Sequence, residues 1–432
     1  MGRVRSKKLV SSGVPVTGVP VTGVPVTRAT ASSRGGAQPG VRVRASFGYD
    51  AASSKRQLAK WNAPSLGPNS LLFQSLDILR DRAHDLVRQN PYAHNAVDRW
   101  AAEAIGTGIR PQFLHPNPDI RKKLEALWRQ SNRYIDFDGQ TDGCGQQALA
   151  WRTMVIAGEC LARKRYEGDG PVPLQLELIE PDLLPTMGPY ASEGVADGNV
   201  IKCGIEVTPF GKRAAYHLYK EHPNEAMLSP GYGLQTVRVP AEEIIHLFRP
   251  LRPKQIRGEP WFVASMVRLL QIDKYDNAEL QRKDFAASLT GFVTSTMPEG
   301  QRPIESRDST IETPTGTAPA EIEPNTLIDL QPGEEIKLAE VDDVGSQYDP
   351  FMVTQLRAIA VGAGLTYEQL TMDGSRLNHS AIRKLEQSFR RLCEQLQYST
   401  FVAQYMDPFL REWLRVAALV GAIDVRDYRA NK

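Results

Sequence analysis

The stretch NPYAHNAVDRWAAEAIGTGIRPQF, residues 90–113, carries a complete helix signal with both ends marked. Asn90 is a residue type that caps helix N-termini, and Pro91 suits the first helical position because no acceptor is available there for an N–H. The apolar residues that follow recur at three- and four-residue spacing, which predicts one buried face. They are Ala93, Ala96, Val97, Trp100, Ala101 and Ala104. We expect this helix to end at Gly106, since glycine tolerates the left-handed backbone of a helix C-terminus.

Gly106-Thr107-Gly108 also has the composition of a phosphate-binding loop. Such loops lie between a strand and a helix N-terminus, whose amides bind the anion, whereas these glycines follow a helix. The sequence contains no G-x-x-x-x-G-K-[ST] pattern. A helix C-terminus is therefore the favoured interpretation, and the same reasoning applies to VGAGLTY, residues 361–367.

The chain has 432 residues, of which 41% are hydrophobic and 24% charged, values typical of a globular protein with two or three domains. Its four cysteines have no C-x-x-C spacing, so neither a zinc site nor a disulfide framework is predicted. No apolar run approaches the roughly 18 residues of a transmembrane helix. We expect the protein to be cytosolic when synthesised.

The net charge of +2 hides an asymmetry between the N-terminal segment and the remaining chain. Residues 1–49 hold eight Lys or Arg and no acid, so the remainder carries −6. Three GVPVT pentads occupy residues 13–27, and their prolines and glycines disfavour regular structure. We predict a disordered basic arm over residues 1–46. It could bind nucleic acid or an acidic protein surface, or remain a solvated tail.

Further helical patterns surround the opening stretch, at residues 69–89, 119–133 and 146–157. From 159 to 250 the apolar period changes to two, with turn residues at 168–170 and 208–211. This change predicts a mostly antiparallel sheet. The combination indicates an α+β fold.

Two helices enclose a β-rich insert in the second half of the chain. The first is predicted from Pro260 to Ser288, with a densely charged remainder and an apolar face. That face consists of Val263, Val267, Leu270, Tyr275 and Ala278. Residues 290–347 predict strands, a Pro/Thr-rich loop and a hairpin around Pro332-Gly333, and the second helix spans 350–363.

A polar stretch and a further helix follow this insert. Ile382, Leu385, Phe389, Leu392 and Leu396 form an apolar seam, and Asp407-Pro408 predicts the end of that helix and the start of a last one to about Ala422. A protomer with two helices around a β-rich insert and a further helix with an apolar seam cannot bury all of its helical faces alone. We expect it to assemble, and head-to-tail contacts that close give a ring.

Patterns typical of catalysis are missing from the sequence. The seven histidines have no H-x-x-x-H or H-E-x-x-H spacing, and no G-x-S-x-G elbow occurs. Glu180 and Asp182 in IEPDLL are a possible acid pair, which alone does not indicate a metal ion. The sequence predicts no catalytic residue, no metal site and no cofactor.

The sequence resembles the lambda-like portal proteins of tailed bacteriophages over residues 47–420. The similar segments occur in the family's order and include YDAA (49–52), RDRAHDLVRQNPYAHNAV, IGTGIRPQ (105–112), LIEPDLL, GIEVTPFGKRAAYHLY, EIIHLFRPLRPKQIRGEPWF, LIDLQPGEEIK, QLRAIAVGAGLTYEQLT and SRLNHSAIRKLEQSFRR. Agreement in order makes the resemblance more specific than any single motif.

The resemblance implies a twelve-subunit ring at one capsid vertex, around a channel through which double-stranded DNA is packaged and ejected. The protomer would be elongated and mainly helical, an α+β fold with named regions. These are the N-terminal arm at 1–46, the wing at 47–259, a stem helix at 260–289, the clip at 290–347, a second stem helix at 348–364, the tunnel loop at 365–379, and a long helix with a short crown at 380–432.

The same resemblance implies which side chains approach DNA. The candidates in or near the tunnel loop are Arg376, Asn378, His379 and Arg383, and those on the stem are Lys274, Arg282 and Lys283. Relatives usually have Gly and Tyr where Arg376 and His379 stand. The added charge either faces DNA or is a local surface substitution. DNA that must slide needs few and weak phosphate contacts, which suits a stem helix of mixed charge.

The implied partners are further copies of the chain, double-stranded DNA, the terminase large subunit, the major capsid protein and head-completion or neck adaptor proteins, with no membrane. The protein would reside in the virion after assembly in the host cytoplasm. It would not be an enzyme, because the terminase hydrolyses ATP. Two alternatives are a scaffold or minor head protein that binds nucleic acid through the basic arm, and a head-maturation enzyme.

Overall fold

The computed structural model describes residues 65–187, 195–224, 235–288, 292–295, 334–337, 345–375 and 379–424. All of them belong to the contact unit Ser65–Lys432. The predicted basic arm, the predicted Pro/Thr-rich loop and the predicted turn at Pro332-Gly333 lie outside the described residues. None of the described helices is long and apolar enough to cross a membrane.

Helices dominate the part of the chain that the structure describes. They are α1 Pro68–Gln89, α2 Pro91–Ala104, α3 Pro118–Ser131, α4 Gly143–Ala157, α5 Met266–Ser288, α6 Gly345–Ala363, α7 Tyr367–Thr371, α8 His379–Leu396 and α9 Asp407–Leu419. A π-helical segment, Gln397–Met406, connects α8 to α9. The helices predicted between residues 69 and 157 are confirmed to within three residues at each end.

The strands form three antiparallel sheets among the described residues. The strands are β1 Glu159–Arg165, β2 Gln175–Ile179, β3 Val200–Lys202, β4 Ile205–Val207, β5 Arg213–Tyr219, β6 Thr236–Pro240, β7 Ile244–Phe248, β8 Phe292–Ser295 and β9 Glu334–Lys337. Their orders are β2-β1-β7, β3-β4-β5-β6 and β8-β9. In β1–β7, for example, Leu161 lies opposite His246. The predicted α+β class with antiparallel strands is confirmed.

Helix α2 lies at the centre of the helical core, as its long apolar stripe requires. Trp100 is buried, and its Nε1–H donates to the Ala363 carbonyl at the end of α6, 3.0 Å away. Its ring meets Trp261, just before α5, and Phe389 of α8, each with centroids 4.9 Å apart. One side chain therefore joins α2 to three segments distant in sequence.

Both glycine-rich stretches are helix C-termini, as predicted. Gly106 has φ +54° and its N–H donates to the Ala101 carbonyl at 3.3 Å. Gly108 has φ +97°, and a Cβ there would lie 2.5 Å from the Cys144 sulfur. Gly364 has φ +73° and packs against the Trp100 ring. These glycines serve turns and close packing.

Helix α5 differs from the helix predicted over residues 260–288 in both its start and its buried face. Helix α5 begins at Met266 rather than Pro260, because Trp261 donates its N–H to the Val155 carbonyl and the chain turns through residues 261–265. Met266, Leu269 and Ile272 are buried, whereas Val267 and Leu270 of the predicted face are exposed. Helix α5 carries apolar side chains on more than one of its faces. Its contacts with α1 and α6 therefore decide which of these side chains are buried.

The prediction that Asp407-Pro408 ends the preceding helix is wrong. The backbone stays helical through Met406 and Asp407, and the Asp407 N–H donates to the Val402 carbonyl five residues earlier. The π-helical segment removes the need for a regular hydrogen bond at Pro408, so the proline is accommodated without a break. Helix α9 ends at Leu419, three residues before the predicted end.

Candidate functional site

The two helices that flank the β8–β9 sheet pack against each other. Tyr275 of α5 stacks on Tyr348 of α6 with centroids 6.1 Å apart, and its ring lies 4.9 Å from that of Phe351. The Tyr348 hydroxyl donates to Asp276 of α5. Burial and the Asp276 carboxylate raise the pKa of Tyr348, so this phenol remains a hydrogen-bond donor. The beginning of α6 is thereby fixed beside the middle of α5.

The predicted stem side chains lie in two different environments. Lys274 and Lys283 are exposed on α5. Arg282 is half-buried and donates to Glu279 one helical turn away at 2.8 Å. The charged surface of α5 is therefore of mixed sign, and one of its three candidate cations is held by an acid of the same helix.

The predicted tunnel loop contains a short helix. Thr366 and Gln369 form a capping box at the start of α7, and Asn95 of α2 donates to the carbonyls of Gln369 and Leu370 at 2.8 Å. Arg376, Asn378 and the side chain of His379 lie outside the described residues. Arg383 is exposed on α8.

A buried ion cluster, which the sequence did not reveal, connects the sheets to the chain that enters α5. Glu159, the first residue of β1, has no exposed surface. One of its oxygens accepts from Arg80 of α1 and, at 2.7 Å, from Nε of Arg257. The other accepts from Nε2 of His246 at 2.9 Å and from the Gly258 N–H at 2.8 Å. We call Arg80, Glu159, His246 and Arg257 the Glu159 cluster.

The two arginines of the Glu159 cluster also hold backbone carbonyls. Arg80 donates to Ala157 at 3.4 Å and to Pro181 at 3.2 Å. Arg257 donates to Cys203 at 2.6 Å and to Leu184 at 3.0 Å. These carbonyls belong to the end of α4 and to the connections around the two larger sheets. The cluster therefore fixes α1, both of those sheets and the segment before α5 in one arrangement.

The charges of the cluster determine its protonation states. Burial favours the neutral carboxyl, but the fields of Arg257 and Arg80 outweigh it and hold the pKa of Glu159 far below its usual range. Burial, with smaller contributions from Arg213 and Arg257, lowers the pKa of His246 to about 4 although Glu159 acts in the opposite direction. At neutral pH the imidazole is neutral. Its Nε2–H then donates to Glu159, and its Nδ1 accepts from the Tyr216 hydroxyl at 3.3 Å.

Two glycines allow the backbone to approach the Glu159 cluster. Gly158 has φ +91°, and a Cβ there would overlap the backbone of Glu259. A Cβ on Gly258 would overlap the Gly158 carbonyl. The segments RDRAHD, IEPDLL and RGEPWF, which carry the family resemblance, meet at this point. The sequence signal that could have indicated the Glu159 cluster is the presence of charged residues inside otherwise apolar strand and loop segments.

Three similar proteins of known class are portal proteins of phages. A probable portal protein of Halomonas phage phiHAP-1 is 27% identical over 82% of this chain and 69% of its own length. The portal protein of Escherichia phage N15 is 25% identical over 76% of this chain and 67% of its own length. Portal protein B of Escherichia phage lambda is 23% identical, over 76% and 66% respectively. The class is that of a phage portal protein.

The family follows from a match over most of the sequence. The model of the phage portal protein, lambda family, matches residues 54–397, and the chain belongs to this family. Among solved structures, a chain from the neck of a native GTA particle computed with C12 symmetry covers 79% of this chain and 89% of its own length. That chain is 14% identical, with a TM-score of 0.42.

Proposed function

We propose that this portal protein forms a closed ring of twelve identical subunits at one capsid vertex and conducts double-stranded DNA into and out of the head. The observation that carries the proposal is the family match over residues 54–397, which includes both helices flanking the β insert. In this proposal α5 and α6 are the stem, residues 290–347 the clip and residues 365–379 the tunnel loop.

The packing of α5 against α6 supports the assignment of the stem. The contacts of Tyr275 with Tyr348 and Phe351 place the two helices side by side, with β8 following one and β9 preceding the other. An insert carried by two adjacent helices is suited to present a docking surface. We assign that surface to the terminase large subunit. The major capsid protein and neck adaptor proteins would contact other regions of the ring.

Exposed apolar side chains on the same helices support assembly. Val267 and Leu280 on α5 are 64% and 60% exposed, and Val361 on α6 is 79% exposed. Covering such residues with a neighbouring subunit removes apolar area from water, worth roughly 25 cal/mol per Å². The ring would provide this cover by repeating one heterologous contact.

The mixed charge of α5 supports a channel in which DNA slides. Lys274 and Lys283 are exposed, while Arg282 is paired with Glu279. Each phosphate that a protein neutralises adds salt-dependent affinity, so a wholly basic wall would retain DNA. We include Arg376, Asn378, His379 and Arg383 among the residues that approach DNA. The protein would act in the virion as a structural component, after assembly in the host cytoplasm.

Electron microscopy of the purified chain tests ring formation. We expect negatively stained particles with a central hole and a molar mass, from light scattering, near that of a dodecamer. Monomers at every salt concentration between 50 and 500 mM would contradict the proposal. An in vitro packaging assay tests the channel, with Lys274→Ala/Lys283→Ala expected to form rings but to change the salt dependence of packaging. The matched control is Lys202→Ala/Lys212→Ala, which removes two exposed lysines from the β3-β4-β5-β6 sheet region.

A further inference from the structure

A group of metal-ligating side chains lies outside the Glu159 cluster and the stem. His84 of α1 approaches Glu180 and Asp182, which follow β2. One ligand atom from each residue lies within 4.8 Å of the other two, and His84 Nε2 is 3.9 Å from Glu180 Oε1. The acid pair that the sequence left without a function is therefore joined by a histidine about one hundred positions away.

A second observation concerns the histidine nitrogen itself. The His84 side chain is 35% exposed, but its Nε2 atom is covered and has no hydrogen-bond partner among the described residues. An imidazole nitrogen withdrawn from water without a partner costs free energy. The Glu180 oxygen with which it forms an ion pair is 3.9 Å away, beyond hydrogen-bonding distance. A cation held between these atoms would satisfy the nitrogen and both carboxylates.

We propose that His84, Glu180 and Asp182 bind one divalent transition-metal ion, for which Zn²⁺ is the best match. Zinc takes imidazole nitrogen and carboxylate oxygen at about 2.0–2.2 Å, which places tetrahedral ligands roughly 3.5 Å apart. The present separations require an inward movement of about 1 Å. Glu180 is half exposed and can rotate to make that movement. Three protein ligands leave the fourth position to water.

The charges around the three ligands are compatible with a cation. Asp182 Oδ1 faces Arg80 at 3.5 Å, so the metal ion takes the other oxygen. His222 lies near that oxygen, with its Nε2 3.9 Å away, but its Nδ1 accepts from the Asn224 N–H at 3.2 Å. This tautomer keeps a proton on Nε2. His222 is therefore placed outside the ligand set.

Bound metal would fix α1 to the turn after β2. The same two elements are joined by Arg80, which donates to the carbonyl of Pro181, the residue between Glu180 and Asp182. The ion would therefore strengthen a connection between the helical core and the sheet β2-β1-β7. This inference does not depend on ring formation or on DNA conduction.

Isothermal titration of the full chain, stripped with EDTA and titrated with ZnCl₂, tests the site. We expect one saturable equivalent per subunit and at least tenfold weaker binding in His84→Gln and in Glu180→Gln. Zn²⁺ addition should raise the melting temperature of the unsubstituted chain but not of these two variants. Circular dichroism checks folding, and we expect Glu180→Gln to fold because this side chain is half exposed.

The matched control is His94→Gln. His94 Nε2 lies 3.5 Å from Asp98 on the same helix, so this pair has a histidine and a carboxylate without the third ligand of the proposed site. We expect its Zn²⁺ affinity to equal that of the unsubstituted chain. Absence of saturable binding below 100 μM Zn²⁺, or equal binding in the unsubstituted chain and both site variants, would overturn the proposal.

Discussion

Replacing Glu159 by Gln should destabilise the protein severely while leaving its shape almost unchanged. The side chain has no exposed surface, and it accepts from two arginines, one histidine and one backbone N–H. The amide nitrogen of Gln cannot accept, so two of the four donors would lose their acceptor. The variant also leaves Arg257 buried without its carboxylate partner, and leaves Arg80 with Asp182 alone, 3.5 Å away.

The size of the effect follows from these contacts. Removing one partner of a buried ion pair costs about 3–5 kcal/mol, because the remaining charge stays desolvated. We expect a loss in this range in the free energy of unfolding, measured by urea denaturation with tryptophan fluorescence. The segment that leads into α5 should also loosen, because Gly258, eight residues before α5, loses its acceptor. Hydrogen exchange of residues 255–265 would report that change.

The matched control is Glu243→Gln, which breaks a partly exposed pair with Arg163 at 2.9 Å. Such pairs contribute under about 1 kcal/mol. The control should therefore unfold at nearly the urea concentration of the unsubstituted chain. If Glu159→Gln behaves like this control, within 1 kcal/mol, the reasoning about the buried cluster is refuted.

The remaining predictions concern pH, backbone geometry and assembly. Burial lowers the pKa of His246 to about 4, so as pH falls from 6.5 this histidine is protonated in the unfolded chain before it is protonated in the folded chain. The free energy of unfolding should therefore drop by up to about 3 kcal/mol by pH 4. Urea midpoints measured across this range should fall less steeply in His246→Gln; equal slopes would exclude His246 as the source. Gly258→Ala should cost more than about 2 kcal/mol in the same assay, because its Cβ would overlap the Gly158 carbonyl, whereas Gly67→Ala, with no atom within 4 Å, should cost under about 1 kcal/mol. Val267→Asp on α5 should abolish rings in electron micrographs without lowering the stability of the monomer. Val200→Asp, at an exposed strand position outside α5 and α6, should leave rings intact. Rings in both variants would remove α5 from the proposed subunit interface.

Local signals were sufficient for the helices that begin and end with clear caps. The Asn90 side chain accepts from the N–H groups of Tyr92 and Ala93, as the sequence predicts, and Gly106 has the left-handed backbone expected of it. These features depend on residues within a few positions of one another. Sequence periodicity did not predict the buried face of α5. This helix carries apolar side chains on more than one face, and packing decides which of them are buried.

The sequence by itself determined the order of the elements, the α+β class and, through its ordered segments, the family. Only the tertiary structure decided that Arg80, Glu159, His246 and Arg257 meet in one buried cluster, and that His84 lies beside Glu180 and Asp182. The physical reason is the separation along the chain over which each kind of interaction acts. Caps and periodicity act between neighbours in the chain, whereas a buried charge is stabilised by partners about eighty to one hundred residues away, which the fold alone brings together.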